Sequence, residues 1–284
     1  MKPARFDYIR AETADEAQAL LAQHGSGARI LAGGQSLIAM LNVRVAQPEV
    51  LIDISQMDEL AYIRADDGSL AIGAATTQSA LEAFPGLREQ VPLAALALPC
   101  ISHVQVRNQG TVCGSLAHAD PSAELPLVVT ALGGEVVLAS TAGRRRVAAA
   151  EFFRGMLQTA CGADEMIVEA RLPLRARGNG YAFREMALRQ GDFALVALAA
   201  VASPDEVALA VGGVAERPTV RRWPGLDDSH VDDALNDFAW SLDAQDDAHA
   251  TARYRRQLVR TLGRQVIAEA RGTSGPDEAG RPSQ

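Results

Sequence analysis

Two short segments that contain glycine carry the clearest chemical signal in the sequence. Residues 32–37 read Ala-Gly-Gly-Gln-Ser-Leu, and residues 110–120 read Gly-Thr-Val-Cys-Gly-Ser-Leu-Ala-His-Ala-Asp. Glycine has no Cβ, so a ligand can approach the main chain closely, and successive backbone N–H groups near a helix start form a concavity for anions. Two such loops can grip one diphosphate, and the natural ligand with a diphosphate is a dinucleotide.

Neither segment has the glycine spacing of a Rossmann domain. That fingerprint needs G-x-G-x-x-G directly after a strand and an acidic residue about 20 positions later, and neither place satisfies it. Taken singly, a Gly-Gly pair or a Gly-x-x-x-Gly segment is more often a tight turn than a cofactor site. The sequence therefore disfavours a Rossmann domain and points to a site in which both loops act together.

The first segment lies where a predicted strand meets a predicted helix. The expected elements, in chain order, are a helix over residues 14–24 capped by Thr13 or Asp15, a strand over residues 28–32, a short helix that opens at Ser36, and a strand over residues 50–54. Together they form a small βαβ-like unit. Its glycine loop presents free amide donors, because the first N–H groups of a helix have no partner within it.

A larger α+β unit follows from about Leu60 and holds the second segment. Its expected elements, in chain order, are a hairpin of residues 61–64 and 70–73 across a turn at residues 66–68, a helix from about Thr77, a helix over residues 126–132, and strands over residues 135–140 and 166–173. The basic run Arg144-Arg145-Arg146 is expected in a solvated hairpin turn after the strand over residues 135–140.

A charged stretch with glycines, residues 174–180, marks a domain boundary. Beyond it the expected elements are strands over residues 181–186, 207–211 and 219–220 and helices over residues 194–201, 232–241 and 248–270. The predicted fold class is α+β: a small βαβ-like subdomain and a larger α+β subdomain, then a C-terminal α+β domain with an antiparallel sheet and helices. The predicted domains are residues 1–58, 59–174 and 178–272, and the composition of residues 273–284 predicts a flexible tail.

Composition narrows the classes of function. The 284 residues carry a formal charge of −8, which argues against nucleic acid, because affinity for a phosphate backbone rests on clustered Lys and Arg. No apolar run reaches the roughly 20 residues that span a bilayer, and no signal peptide opens the chain, so the cytoplasm is the expected location. Cys100, Cys113 and Cys161 lie too far apart for a zinc or iron–sulfur site and are expected to pack as small hydrophobes.

The two segments resemble the FAD-binding, or medium, subunit of the molybdenum hydroxylases, the family that includes carbon monoxide dehydrogenase and xanthine dehydrogenase. The resemblance covers nearly the whole chain and rests on four motifs in the family's order. They are residues 32–37, residues 106–126, the segment Arg-Gln-Gly-Asp-Phe-Ala-Leu-Val over residues 189–196, and a late helix around residues 254–258.

The resemblance implies FAD as the cofactor and assigns its site residue by residue. The first motif is expected to wrap the pyrophosphate, mainly through backbone N–H groups, with the residues Ala32, Gly33, Gly34, Gln35, Ser36 and Leu37. Ser36 either contacts the ligand or caps the next helix. Thr111, Gly114 and Ser115 are expected to meet the pyrophosphate and the flavin. Relatives usually have Thr-Ile-Gly-Gly here, so Cys113 replaces a glycine; the position then needs no positive φ, and we expect the thiol to pack inertly.

Five further site residues follow from the same resemblance. Glu124 matches an acidic position, usually Asp, that binds an FAD ribose hydroxyl; the alternative is an acid favoured by a helix N-terminus. Asp120 is a second acidic candidate, although Asp-Pro also starts ordinary turns. Ile167 aligns with a contact to the adenine end. Arg184 aligns with a cation near the flavin and Phe193 with a side chain beside the isoalloxazine; the alternatives are an exposed strand arginine and core packing.

The function implied by the resemblance is that of an oxidoreductase subunit without catalytic residues or metal ligands of its own. Substrate is oxidised at a molybdenum cofactor on a large partner subunit, and electrons pass through two [2Fe-2S] clusters on a small partner subunit to FAD and an external acceptor. The expected assembly is a dimer of heterotrimers.

Two other functions compete with this one. A self-contained flavin oxidase of the vanillyl-alcohol oxidase type has a similar FAD domain, but normally needs a much larger substrate domain than this C-terminal segment. A non-catalytic nucleotide-binding subunit of the same fold is the other alternative. Flavin absorbance in the purified chain supports the molybdenum hydroxylase subunit or the flavin oxidase, and its absence favours the non-catalytic subunit.

Overall fold

The computed structural model describes residues 2–273. The tail predicted over residues 273–284 therefore lies outside the described residues, apart from Thr273. The strands, in chain order, are β1 (Asp7–Arg10), β2 (Ala28–Leu31), β3 (Val50–Asp53), β4 (Ile63–Asp66), β5 (Ser69–Gly73), β6 (Glu135–Ser140), β7 (Gly143–Ala148), β8 (Phe153–Gly155), β9 (Gln158–Thr159), β10 (Met166–Pro173), β11 (Gly180–Ala187), β12 (Ala194–Ala202), β13 (Glu206–Gly212) and β14 (Thr219–Pro224). The helices are α1 (Ala14–His24), α2 (Leu37–Asn42), α3 (Gln78–Glu82), α4 (Leu87–Gln90), α5 (Pro92–Ala97), α6 (Val104–Arg107), α7 (Val112–His118), α8 (Glu124–Leu132), α9 (Ala149–Phe152), α10 (Val231–Ser241) and α11 (Ala252–Thr273).

The described elements form two compact units. Unit 1 contains the residues up to Pro85, His103–Ala119 and Gly134–Leu172. Unit 2 contains Gly86–Ser102, Asp120–Gly133 and the chain from Pro173 onward. Unit 1 thus carries residues 32–37 and residues 110–119, which include nearly all of both glycine segments.

A three-stranded parallel sheet with the order β1-β3-β2 opens unit 1. The central strand β3 is buried at all four positions, as expected for a parallel strand covered on both faces. Helix α1 joins β1 to β2 and begins at the predicted cap, where the Thr13 hydroxyl accepts from the Glu16 N–H at 3.2 Å. The first glycine segment leaves the carboxyl end of β2, the edge at which ligands bind in open parallel sheets.

The larger sheet of unit 1 has the strand order β4-β5-β10-β6-β7. The predicted hairpin is formed by β4 and β5, with positive φ at both turn residues, Asp67 (48°) and Gly68 (70°). The central strand β10 holds a buried ion pair in which Arg171 donates to Glu169 at 2.8 Å, and the Tyr62 hydroxyl donates to the same carboxylate at 2.7 Å. This pairing satisfies charges that would otherwise be costly to bury.

The basic run Arg144-Arg145-Arg146 lies in strand β7, so its placement in a turn is wrong. Strand β7 pairs with β6 from Glu135↔Ala148 to Ser140↔Gly143, which leaves only two residues for the turn. The three arginines are exposed on the edge strand of the sheet. Charged side chains on an edge strand hinder its pairing with a strand of another chain, and this is a structural role for the three arginines.

Unit 2 is built on a four-stranded antiparallel sheet with the order β11-β12-β13-β14. Helices α10 and α11 share a core with alternate residues of these strands. The largest contributors from the sheet and the helices include Val196, Leu198, Leu209, Phe238 and Val259. Helix α8 also packs on β12 and β13. The antiparallel sheet and its helices confirm the α+β class.

Residues 194–202 form strand β12, so the helix predicted over residues 194–201 is wrong. The segment reads ALVALAAVA, and its alanines and leucines favour a helix in isolation. Strand β12 pairs on both sides, with β11 and β13, and all its residues except Val201 are buried. Burial on both faces removes the polar alternation that marks a strand, and tertiary pairing then overrides propensity.

Candidate functional site

The two glycine segments touch each other within unit 1. A Cβ built on Gly33 would overlap the carbonyl oxygen of Gln109 and would lie 2.7 Å from the Cα of Gly110. Only glycine at position 33 therefore allows the two backbones to come this close. We call residues 32–37 the first glycine loop and residues 110–115 the second glycine loop.

The first glycine loop presents a run of backbone amides. No acceptor within residues 2–273 takes the N–H groups of Gly33, Gly34, Gln35 or Ser36. Gly34 has a φ of +70°, and successive amides around a residue in this conformation form an anion-binding nest. The Gln35 side chain donates to the Gly33 carbonyl at 3.0 Å and braces the loop. The Ser36 side chain makes no capping bond to α2, so its hydroxyl is available to a ligand.

The second glycine loop is tied to the start of helix α3. Thr77 and Thr111 form an isolated antiparallel bridge, beside which the Gln78 N–H donates to the Gly110 carbonyl at 2.8 Å. Each threonine hydroxyl also caps the helix that follows it, α3 or α7. The two helices therefore begin side by side at the point where the loops meet.

Several amides of the second glycine loop are already used by the protein. The Gly114 N–H donates to the Thr111 hydroxyl at 3.0 Å, and the Ser115 N–H donates to the Thr111 carbonyl at 3.2 Å. A Cβ on Gly114 would lie 2.6 Å from the Thr111 Oγ1, so the Thr111 side chain in this position leaves no room for one. Within the described chain, the amides of Thr111 and Cys113 have no acceptor. The Thr111 hydroxyl also keeps its own proton to donate.

Cys113 lies in the first turn of α7 and, as the sequence predicted, has no positive φ. Its side chain is buried, with Sγ 3.7 Å from the Ile72 carbonyl oxygen. Burial raises the pKa of the Cys113 thiol to about 12, and the nearby Glu169 charge adds to this effect. The thiol is therefore protonated at neutral pH and unreactive, which agrees with inert packing.

Polar side chains fasten the residues before the second glycine loop to α3. Arg107 forms an ion pair with Glu82 at 2.9 Å, and the Ser79 hydroxyl donates to Asn108 at 2.6 Å. The sequence alone predicted no role for these side chains. A signal was present, since Ser79 and Glu82 are three residues apart and share one face of a helix.

The two loops together can hold an anion with neutral donors. Their available groups are backbone amides and the hydroxyls of Ser36 and Thr111. Phosphate oxygens accept from such groups, and fixed amides bind a diphosphate without Lys or Arg. The geometry therefore fits the pyrophosphate of a dinucleotide.

The other predicted site residues lie apart from this pair of loops in the sequence. Ile167 belongs to unit 1 and is buried in β10, where it pairs with Leu138 of β6. The remaining four, Asp120, Glu124, Arg184 and Phe193, belong to unit 2. The Asp120 carboxylate accepts from the Ser122 N–H at 2.8 Å, which is the ordinary Asp-Pro turn named as its alternative.

Glu124 is the first residue of α8 and is only 7% exposed. Burial raises the pKa of the Glu124 carboxyl to about 7, and the charges of Glu185 and Asp120 act in the same direction. Burial also raises the pKa of Glu185, on β11, to about 7. Unit 2 thus holds two carboxyl groups that are partly protonated near neutral pH.

For Arg184 and Phe193 the structure bears on the two alternatives, an exposed strand arginine and core packing. The Arg184 Nε lies 3.0 and 3.1 Å from the two carboxylate oxygens of Glu269 on α11, and Arg184 is exposed, as its alternative described. Phe193 is 70% exposed in the connection between β11 and β12. Core packing is therefore wrong for Phe193, whose ring is open to a ligand or a partner.

Residues 2–273 contain neither a cluster of metal-ligating side chains nor a membrane-spanning helix. No three His, Cys, Asp or Glu side chains in that range come together as a metal site. No helix there combines the length and the apolar character needed to cross a bilayer. No disulfide bond joins Cys100, Cys113 and Cys161 to one another.

Comparison with known proteins identifies the family. Residues 4–175 match the model of the FAD binding domain in molybdopterin dehydrogenase. The chain is 35% identical to the alpha subunit of the 6-hydroxypseudooxynicotine dehydrogenase complex of Paenarthrobacter nicotinovorans, over 95% of this chain and 96% of that protein. It is 34% identical to the beta subunit of caffeine dehydrogenase of Pseudomonas sp. strain CBB1, with the same coverage of 95% and 96%.

A solved structure agrees with these relatives. Carbon monoxide dehydrogenase from Hydrogenophaga pseudoflava, in the form that lacks the Mo-pyranopterin moiety of the molybdenum cofactor, superposes with a TM-score of 0.91 and 33% identity. The match covers 97% of this chain and 100% of that one. The resemblance carried by the glycine loops is thereby confirmed, and the chain belongs to the FAD-binding subunits of the molybdenum hydroxylase family of oxidoreductases.

Proposed function

We propose that this chain is the electron-transfer subunit of a molybdenum-containing dehydrogenase. When bound, FAD accepts electrons from the [2Fe-2S] clusters of a small partner subunit and passes them to an external acceptor. The observation that carries the proposal is the contact of the two glycine loops at Gly33 and Gly110, because it concentrates amides without acceptors in one place. Substrate is oxidised elsewhere, at the molybdenum cofactor of a large partner subunit.

In this proposal the glycine loops hold the FAD diphosphate. The amides of residues 32–37 and the Ser36 hydroxyl donate from the first glycine loop. The Thr111 hydroxyl proton and the Cys113 amide donate from the second, with Ser115 beside them. Gly114 acts through Thr111, because its missing side chain makes room for the cap.

The remaining assignments rest on the family resemblance and on chemistry. Glu124 or Asp120 accepts from a ribose hydroxyl, Ile167 contacts the adenine end, and Phe193 shields the isoalloxazine. The exposure of Phe193 is compatible with this role, since the ring is open to a ligand. Arg184 near the flavin gains no support from its ion pair with Glu269.

The proposed assembly is a dimer of heterotrimers in the cytoplasm. The names of the relatives, which are subunits of dehydrogenases, support an assembly of several subunits. In this proposal the flavin receives its electrons from a neighbouring subunit.

The test compares the full chain alone with the reconstituted complex. Both are loaded with FAD and exposed without oxygen to an N-heteroaromatic compound, an aldehyde, a purine and carbon monoxide. We expect the flavin absorbance band to bleach with one substrate class in the complex and with none in the isolated chain. Bleaching by the isolated chain, free of Mo and Fe, would favour a self-contained flavin oxidase. A chain that retains no flavin would favour a non-catalytic subunit.

A further inference from the structure

The late helix motif around residues 254–258 contains a buried arginine, Arg255, in the first turn of α11. One Nη atom of its guanidinium donates to two backbone carbonyls, that of Leu195 at 2.7 Å and that of Gly213. The other Nη atom donates to the Asp247 carboxylate. Two backbone N–H groups of the loop before α11 also donate to this carboxylate, at 2.8 and 2.9 Å, and hold it in place. The guanidinium is therefore fixed from several sides inside unit 2.

Leu195 interrupts the regular pairing of β12. The strand pairs with β11 at the residues on either side of Leu195 but not at Leu195 itself, which makes it the extra residue of a β-bulge. On its other side, β12 pairs with β13 only from Ala197 onward. Leu195 is buried, and a buried carbonyl outside a regular ladder needs a donor from elsewhere. Arg255 is such a donor, and it acts only two residues after Phe193.

Gly213 extends the same network to the Asp120-Pro121 turn. Its φ is +76°, and its N–H donates to the Pro121 carbonyl at 2.7 Å. A Cβ at this position would lie 3.0 Å from the Leu195 carbonyl oxygen, so glycine lets the two segments approach each other closely. Arg255 therefore holds the start of β12 directly and the turn after α7 through Gly213.

We propose that Arg255 is a positioning residue for the flavin end of the cofactor, because its guanidinium fixes the backbone from which Phe193 projects. The inference rests on the proposed function, in which the Phe193 ring shields the isoalloxazine. Phe193 is 70% exposed, so little packing holds the ring itself and its direction depends on the backbone beside it. Arginine suits this task, since its planar fork aims several N–H donors in fixed directions at two carbonyls and a carboxylate together.

A double-mutant cycle on the full chain tests whether Arg255 acts through Phe193. Phe193→Leu alone should raise the FAD dissociation constant about three- to tenfold, the usual value of an aromatic contact. Arg255→Met alone should raise it as well and should change the visible circular dichroism of the bound flavin. In the Arg255→Met background, Phe193→Leu should have no further effect, because the ring has already lost its position. Fluorescence titration with FAD measures the four dissociation constants.

The matched control is Arg271→Met. Arg271 also lies on α11 and donates to a backbone carbonyl, that of Leu226, and to an aspartate, Asp228. Neither partner is adjacent in sequence to Phe193 or to the Asp120-Pro121 turn. In the Arg271→Met background, Phe193→Leu should keep its full effect on FAD binding, and the visible circular dichroism of the flavin should match that of the parent.

An equal effect of Phe193→Leu in the parent and in the Arg255→Met background would overturn the proposal and leave Arg255 with a purely structural role. If Arg255→Met does not fold, Arg255→Lys replaces it, because lysine keeps the positive charge beside Asp247 and lacks the fork that reaches both carbonyls. The effect of Phe193→Leu should again disappear, and a full effect overturns the proposal.

Two other outcomes concern the proposed function itself. A parent chain that binds no FAD overturns that function, and this inference with it. A Phe193→Leu chain that binds FAD as tightly as the parent overturns the assignment of Phe193 beside the isoalloxazine, and with it the role of Arg255. Loss of FAD affinity in Phe193→Leu that simply adds to the loss in Arg255→Met overturns this inference alone.

Discussion

The two glycine loops use glycine for different purposes. In the first, Gly33 permits contact with the other loop and Gly34 turns the chain at a φ of +70°, which leaves a run of amides without acceptors. In the second, Gly114 makes room for the Thr111 cap, and no residue from 111 to 115 has a positive φ. One loop is a donor surface, and the other is a brace that adds a few donors.

This difference explains why the second loop tolerates a departure from the family pattern. The residue at position 113 has helical backbone and points into the core, so a cysteine can replace the usual glycine there. A side chain at position 33 would collide with the backbone of the other loop. The requirement for glycine therefore depends on what lies opposite the missing Cβ and not on the motif as a whole.

The largest effect is expected from removing the glycines of the first loop. In the double variant Gly33→Val, Gly34→Val, a branched side chain collides with Gln109 and a second one must adopt positive φ. We expect FAD retention to be abolished while the chain still folds. Flavin absorbance per chain measures the first outcome and circular dichroism the second.

Gly272→Val is the control for that variant. Gly272 has no neighbour within 4 Å of an added Cβ and no positive φ, so FAD content should equal that of the parent. Full FAD occupancy in the double variant would contradict the role of the first loop and remove the distinction between the two loops.

A second prediction concerns the carboxyl group of Glu124 in unit 2, which titrates, whereas the donors of the glycine loops are neutral. Its pKa is raised to about 7 in the folded chain, so between about pH 4.5 and pH 7 the folded chain holds a proton that the unfolded chain has lost. Stability should therefore fall as pH rises through this range. Between pH 5 and pH 8 the parent should lose on the order of 2 kcal/mol of unfolding free energy through this group, and Glu124→Gln should not show that loss. At pH 8 the variant should therefore be more stable than the parent.

Urea unfolding of the FAD-free chain at pH 5 and pH 8 measures this change. Glu216→Gln, which removes an exposed carboxylate from the same unit, should leave the difference between the two pH values unchanged. An equal difference in the parent and in Glu124→Gln would show that the Glu124 carboxyl does not titrate in this range.

A smaller effect is expected from the cap of the second loop. Thr111→Val keeps the shape but leaves the Gly114 N–H without its acceptor, which should cost about 1 kcal/mol of stability. It also removes the hydroxyl proton proposed to reach FAD, so the FAD dissociation constant should rise about three- to tenfold. Thr111→Ser should restore both properties.

Thr77→Val sharpens the same test. Thr77 caps α3 as Thr111 caps α7, and the two residues face each other across the bridge. It should lose about the same stability and retain the FAD affinity of the parent. Equal losses of FAD in the two variants would mean that Thr111 acts only as a brace.

Local patterns predicted the parts of the fold that short segments determine. The Thr13 cap, the β4–β5 hairpin, and the strands over residues 135–140 and 166–173 are found as expected. The wrong helix over residues 194–201 and the misplaced Arg144-Arg145-Arg146 run share one cause. Both depend on which strand lies alongside, and the residue pattern of one short segment does not show that pairing.

The same limit applies to the site. The glycines marked both loops, because the residue type alone shows where the chain has no side chain. The contact of Gly33 with Gly110 and the position of Gln78 beside it are not visible, since both depend on packing between segments more than 30 residues apart. The inert packing of Cys113 was expected from the sequence, because a cysteine in place of the family's glycine implies no positive φ, whereas the exposure of Phe193 was not expected.

The smallest effect is expected from replacing all three cysteines. Cys113 lies in the second loop and its side chain fills space in the core, while Cys100 and Cys161 lie elsewhere in the chain. A cluster needs about four thiolates, which this chain cannot supply, and burial holds the pKa of Cys113 and Cys161 at about 12. In the triple serine variant, iron should stay at background, FAD content should match the parent, and stability should fall by about 1 kcal/mol where a hydroxyl replaces the buried Cys113 thiol. Metal analysis, absorbance and urea unfolding of the isolated chain check these outcomes. If the parent carried stoichiometric iron that the variant lost, the clusters would belong to this chain, and the second loop would have to be regarded as part of a metal site instead of a brace.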